Sequence, residues 1–109
     1  MNRTEAAYAE LLTARQSAGE VAGWMFEAVT LKLANDTRYT PDFLVQMADG
    51  SVEFHEVKAC RASGAFLAED DARVKFKVAG EQFPIFVFRM CGALPRKSGG
   101  GWRVETYGE

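Results

Sequence analysis

The sequence predicts an α/β fold built on a mixed sheet. Three observations predict it. An alanine- and leucine-rich helical stripe lies near the N-terminus. Three β-patterned segments joined by turns come next, and a second helical stripe then runs into a near-continuous apolar segment. At 109 residues the chain reads as one domain, 1–109. That length buries a core without staples. A core over about 2–90 is followed by a basic glycine-rich loop over 95–101 and a short strand over 101–107.

The first helix is expected over 4–18, capped by Asn2 or Thr4. Asn2 with Glu5 three residues on resembles a capping box. Ala7, Leu11, Ala14 and Ala18 follow core-stripe spacing, and Gly19 stops the helix. A strand is expected over 21–33, where Trp24, Phe26 and Val29-Thr30-Leu31 supply aromatic and β-branched residues. Ala34-Asn35-Asp36-Thr37 is a turn by composition.

A second strand is expected over 38–47, with Pro41 near its end or edge because it cannot donate a ladder hydrogen bond. A third covers 51–59. The loop between them decides which residues face each other. A three-residue Ala48-Asp49-Gly50 loop pairs Met47 with Ser51 and sets Asp42 opposite Glu56. A two-residue Asp49-Gly50 loop pairs Asp42 with Val57 and separates the carboxylates.

The second helix is expected over 67–83. Glu69, Asp70 and Asp71 lie at its start, and Ala72, Phe76, Ala79 and Phe83 form its apolar stripe. Pro84 ends it. The run over 85–90 is apolar enough for a strand covered on both faces.

Several function classes drop out. Cys60, Cys91 and a single His55 are too few for a structural zinc site. The cysteines read as free thiols, although their spacing leaves a disulfide open. No Walker loop or GxSxG motif occurs. His55 reads as a structural or surface histidine. Trp24, Phe26 and Trp102 read as core or interface residues. No stretch is long and apolar enough for a membrane span, and the first ten residues lack the apolar core of a signal peptide. A cytoplasmic protein is therefore expected, with no membrane partner and no organic cofactor.

The residues that carry chemistry are Pro41-Asp42, then thirteen residues, then Glu56-Val57-Lys58. Alternation puts Glu56 and Lys58 on one face of the third strand. Under the three-residue loop, Asp42 joins them. Two ionised carboxylates this close repel, and a divalent cation removes that cost. Mg²⁺ suits one or two carboxylates completed by waters and phosphate oxygens. The Val57 carbonyl is a further candidate ligand, and Mn²⁺ is expected to substitute. Lys58 is placed to orient an attacking water or to neutralise charge on a phosphoryl oxygen.

This combination, on that order of elements, resembles the PD-(D/E)XK nuclease superfamily. It looks most like the small phage-encoded endonucleases and Holliday-junction-resolvase-like proteins. Thr4-Glu5-Ala6-Ala7-Tyr8, Tyr39-Thr40-Pro41-Asp42-Phe43, Phe54-His55-Glu56-Val57-Lys58 and Asp71-Ala72-Arg73-Val74-Lys75 carry the resemblance. It implies a restriction-endonuclease-like core of helix, three-strand meander, helix and strand. It also implies an Mg²⁺-dependent endonuclease acting on branched or structured DNA, in a bacterial or phage-infected cell. Asp42 and Glu56 would be metal ligands and Lys58 the catalytic lysine. An acid on the first helix would complete the site; Glu5 fits best and Glu10 is second. Ala59-Cys60 stands where many relatives carry glycine after the ExK motif. A chain that holds one site must pair to cut two strands, so a homodimer is expected, with the apolar first strand as one interface. A catalytically inactive DNA-binding module on the same fold, or a small interaction protein, are the alternatives.

The net charge of −2 hides an asymmetry. Residues 1–57 hold four basic against nine acidic side chains, and residues 58–109 hold nine against six. The candidate phosphate contacts are Arg38, Arg61, Arg73, Lys75, Lys77, Arg96 and Lys97. Lys75 reads equally as a snorkelling lysine.

Overall fold

The computed structural model describes residues 1–67 and 70–109, with Asp70 described by its backbone alone. Helix α1 spans Arg3–Ser17. The capping box is formed: Glu5 N–H donates to Asn2 Oδ1 at 2.8 Å, and Asn2 N–H donates to Glu5 Oε1 at 2.7 Å. The buried face differs from the expected stripe. Tyr8, Ala9 and Leu12 are buried, whereas Ala7, Ala14 and Ala18 are exposed. The two large side chains, four residues apart, set the face, and exposing alanine costs little.

The strand expected over 21–33 is two strands, β1 (Val21–Phe26) and β2 (Leu31–Lys32). Glu27, at φ 48°, turns the chain between them. The segment over 38–47 is also divided, into β3 (Arg38–Tyr39) and β4 (Phe43–Met47). Pro41 sits in the break, where its missing N–H leaves no gap in a ladder. Strands β2 and β3 form a separate antiparallel ribbon, joined by the expected turn, in which Asn35 and Asp36 both take positive φ.

Strand β5 (Val52–Ala59) pairs antiparallel with β4 in the register of the three-residue loop: Phe43 faces His55 and Gln46 faces Val52. Gly50 closes the turn at φ 89°, in the left-handed region that glycine enters without penalty. Met47 N–H donates to Ser51 O at 2.8 Å.

Helix α2 (Asp70–Gln82) follows. The acidic first turn expected there falls partly on Glu69 and the Asp70 side chain, which lie outside the described residues. Phe76 and Ala79 of its stripe are buried, and Ala72 and Phe83 half-buried. Strand β6 (Val87–Ala93) begins later and runs further than the apolar run suggests, leaving Ile85 83% exposed. It lies parallel to β5, and β7 (Trp102–Thr106) returns antiparallel to it. The result is a mixed five-stranded sheet in the order β1-β4-β5-β6-β7.

Each face of the sheet has its own core. Tyr8, Ala9 and Leu12 of α1 pack on Val21, Phe43, Val45, Val57 and Cys91, with Trp24, Phe26 and Trp102 partly buried around them. On the other face Phe76 and Ala79 of α2 pack with Leu33, Tyr39, Phe54, Phe88 and Met90. No helix among the described residues is long and apolar enough to cross a membrane.

Candidate active site

The carboxyl ends of parallel β5 and β6 lie at one end of the sheet, beside the amino end of β4. The register carries one step past Phe43 and His55, so Asp42 and Glu56 meet at this end. Lys58 stands two residues along β5, on the same face. Asp42 and Glu56 are buried, at 9% and 6% exposure.

Each carboxylate is held differently. Asp42 Oδ2 accepts the N–H of Val57 at 2.8 Å, which extends the hairpin ladder by one bond. Among the described residues nothing donates to Asp42 Oδ1. Glu56 Oε1 accepts the Tyr39 hydroxyl at 2.9 Å, and Glu56 Oε2 lies 3.5 Å from Lys58 Nζ. Val57 joins the site through its backbone while its side chain is buried in the α1 core.

These positions set the protonation equilibria. Burial and then the neighbouring Glu56 charge raise Asp42 to about 7; the Val57 N–H opposes the rise, Glu5 adds to it and Lys58 opposes it. Burial also raises Glu56, against the Tyr39 hydroxyl and Lys58. The pair is held at like-charge distance with incomplete compensation.

Glu5 lies on the same stripe of α1 as Tyr8 and Leu12 and is half-buried. Its Oε1 is used in the capping box, and its charge is felt at Asp42. Glu10 is exposed. Among the described residues no three or more His, Cys, Asp and Glu side chains gather to hold a metal ion.

The basic residues separate into two kinds. Arg61, Arg96 and Lys97 are exposed on the loops that leave β5 and β6 at the carboxylate end, and Arg38 and Lys77 are exposed on β3 and α2. Arg73 is committed internally. Its Nη2 bonds both oxygens of Glu105 at 3.0 Å, and its guanidinium stands 5.8 Å from the Phe66 ring centre. Lys75 pairs with Asp71 at 3.6 Å, beside a cavity of about 270 Å³ lined by Leu33, Asn35, Thr37 and Val78.

Two features were not legible in the residues. Tyr39 is one; its only signal is its place three residues before Asp42, on a segment too short to establish a face. The other is a buried polar chain on the α1 face. Cys91 Sγ–H donates to Tyr8 Oη at 3.2 Å, and Tyr8 O–H in turn donates to His55 Nδ1 at 2.6 Å. His55 Nε2–H then donates to Glu53 Oε1 at 2.8 Å, which also accepts Arg89 Nε–H at 2.8 Å. Arg89 Nη1 bonds Thr106 Oγ1 at 2.7 Å. Burial lowers His55 and so favours the neutral ring that this chain of donors requires. Burial would raise Glu53, but His55 and Arg89 outweigh it and hold Glu53 at about 2. His55 is therefore structural and wholly buried, at 1% exposure, rather than on the surface. Cys60 and Cys91 are both free and buried, and Cys91 belongs to the core on the α1 face.

Comparison of the chain with protein-family models, with curated proteins and with solved structures returned no match.

Proposed function

We propose that the chain is a metal-dependent endonuclease of the PD-(D/E)XK type that hydrolyses DNA phosphodiester bonds, with branched or structured DNA as substrate. The observation that carries this reading is the meeting of Asp42, Glu56 and Lys58 at one end of the sheet, with two buried carboxylates only partly compensated. The order α1, β1-β4-β5 meander, α2, β6 supports the restriction-endonuclease-like core.

The donor set fits Mg²⁺ or Mn²⁺. Two carboxylates share one end of the sheet, and among the described residues nothing donates to Asp42 Oδ1. His55 is engaged by Tyr8 and Glu53, which argues against a nitrogen-ligated zinc site. When bound, the cation would neutralise the pair and polarise a phosphoryl oxygen. Asp42 and Glu56 would hold it, with Val57 contributing its carbonyl. Lys58, part-exposed beside Glu56, orients the attacking water or offsets charge developing on the phosphate. Glu5 supports the site from α1. Arg61, Arg96 and Lys97 flank this end and suit the phosphate backbone. A homodimer, paired through the exposed edge of β1, would supply two such sites.

A second reading, an inactive DNA-binding module, is favoured by one observation: Asp42 already has a structural use in accepting Val57 N–H. One experiment separates the two. The protein and its Asp42→Asn variant are incubated with branched and linear DNA in Mg²⁺. Cleavage by the parent alone supports the nuclease. Equal cleavage by both sinks the assignment, and salt-sensitive binding without cleavage selects the binding module.

A further inference from the structure

Tyr8 touches both strands of the hairpin immediately behind the carboxylates. Its ring lies 5.4 Å from that of Phe43, the residue after Asp42. Its hydroxyl bonds His55, the residue before Glu56, at 2.6 Å. Phe43 and His55 are themselves cross-strand partners. Glu5 lies one turn earlier on the same face of α1.

We propose that Tyr8 is a positioning residue for the carboxylate site, tying α1, and Glu5 with it, to the Phe43–His55 pair that backs Asp42 and Glu56. The proposal rests on the metal-site reading of those two carboxylates. The tie is anchored deeply, because His55 is fixed in turn by Glu53, and Glu53 by Arg89. Without the hydroxyl, α1 keeps its apolar packing but loses this polar link to β5. A helix free to slide there no longer holds Glu5 at a set distance from Asp42. Glu5 is suited to the supporting role, because the capping box uses only its Oε1.

Tyr8→Phe keeps the ring and removes the link. Mn²⁺ binding is measured by calorimetry for the parent, Tyr8→Phe, Glu5→Gln and the double variant. Glutamine at position 5 preserves the capping box while removing the charge. Each single variant is expected to lose about tenfold in affinity, as supporting residues of metal sites do. The double variant is expected to lose no more than either single one. Full affinity in Tyr8→Phe, or losses that multiply, overturns the proposal.

A metal-free arm keeps this test separate from the function itself. At pH 8.5 the effects of Glu5→Gln and Asp42→Asn on the melting temperature are expected to be coupled in the parent, and uncoupled in Tyr8→Phe. His55→Gln, which cuts the link from its other end, is expected to behave as Tyr8→Phe does. Coupling that survives both variants overturns the role of Tyr8. A parent that binds no Mn²⁺ overturns the metal site, and the metal-free arm then decides Tyr8 alone.

Discussion

The Tyr39 hydroxyl donates to Glu56 Oε1 at 2.9 Å while Lys58 Nζ stands 3.5 Å from Glu56 Oε2, so Glu56 is presented in one orientation. A hydrogen bond to an ionised group contributes roughly 1.5–3 kcal/mol. Tyr39→Phe is expected to destabilise the fold by about that amount, read by urea denaturation. It also removes a group that lowers the Glu56 pKa. On the proposed nuclease reading, the acid limb of a cleavage profile is therefore expected to move to higher pH.

Asp42 gives the metal-free protein a pH dependence of definite sign. Its carboxyl is raised from 3.8 to about 7 by burial and then by Glu56. A raised acid binds more protons folded than unfolded, so stability falls as pH rises between those values. This contribution is lost above about pH 7. Metal-free protein is expected to melt lower at pH 8 than at pH 6, and saturating Mg²⁺ is expected to close much of that gap. Chelation at pH 8 should reopen it. Melting curves with and without the cation check both.

Asp42→Asn separates stability from activity. The amide oxygen still accepts Val57 N–H, but the repulsion with Glu56 is gone. The variant is expected to lose cleavage and Mn²⁺ binding while melting higher than metal-free parent at pH 8. A lower melting temperature would show that Asp42 serves the fold more than the site.

The arginines divide by what they touch. Arg73→Ala breaks the bonds to Glu105 and leaves that half-buried carboxylate unpaired, so a loss of stability is expected. Arg96→Ala and Lys97→Ala remove exposed charges. They are expected to leave stability within about 0.5 kcal/mol. They should weaken DNA binding and lower its salt slope by about one each. Salt titrations of binding, beside thermal melts, distinguish the two classes.

Gly92 lies opposite Lys58 in the β5–β6 ladder. A Cβ there would overlap Cys60 Sγ and stand 2.7 Å from a Phe66 ring carbon. Both neighbours are packed, so Gly92→Ala is expected to cost about 1–3 kcal/mol through overpacking. Denaturant midpoints measure it.

Local patterning determined much of this protein. Ala48-Asp49-Gly50 marks the hairpin locally, and of the two registers it leaves open the three-residue loop that formed sets Asp42 opposite Glu56. The capping box at Asn2 and the Phe76–Ala79 stripe were legible for the same reason, since each depends on residues within a turn or two. Tertiary structure decided the rest. The alanines of α1 offer no strong face, so the helix turned its large Tyr8 and Leu12 inward against β4 and β5. The apolar segments around Glu27 and Pro41 break because the chain leaves the main sheet there to form the β2–β3 ribbon, which brings Tyr39 to Glu56. The fixing of His55 draws on α1, β5, β6 and β7 at once. Spacing along a chain reports which residues share a face. The partners that satisfy a buried polar group come from elements far apart in sequence, and only packing brings them together.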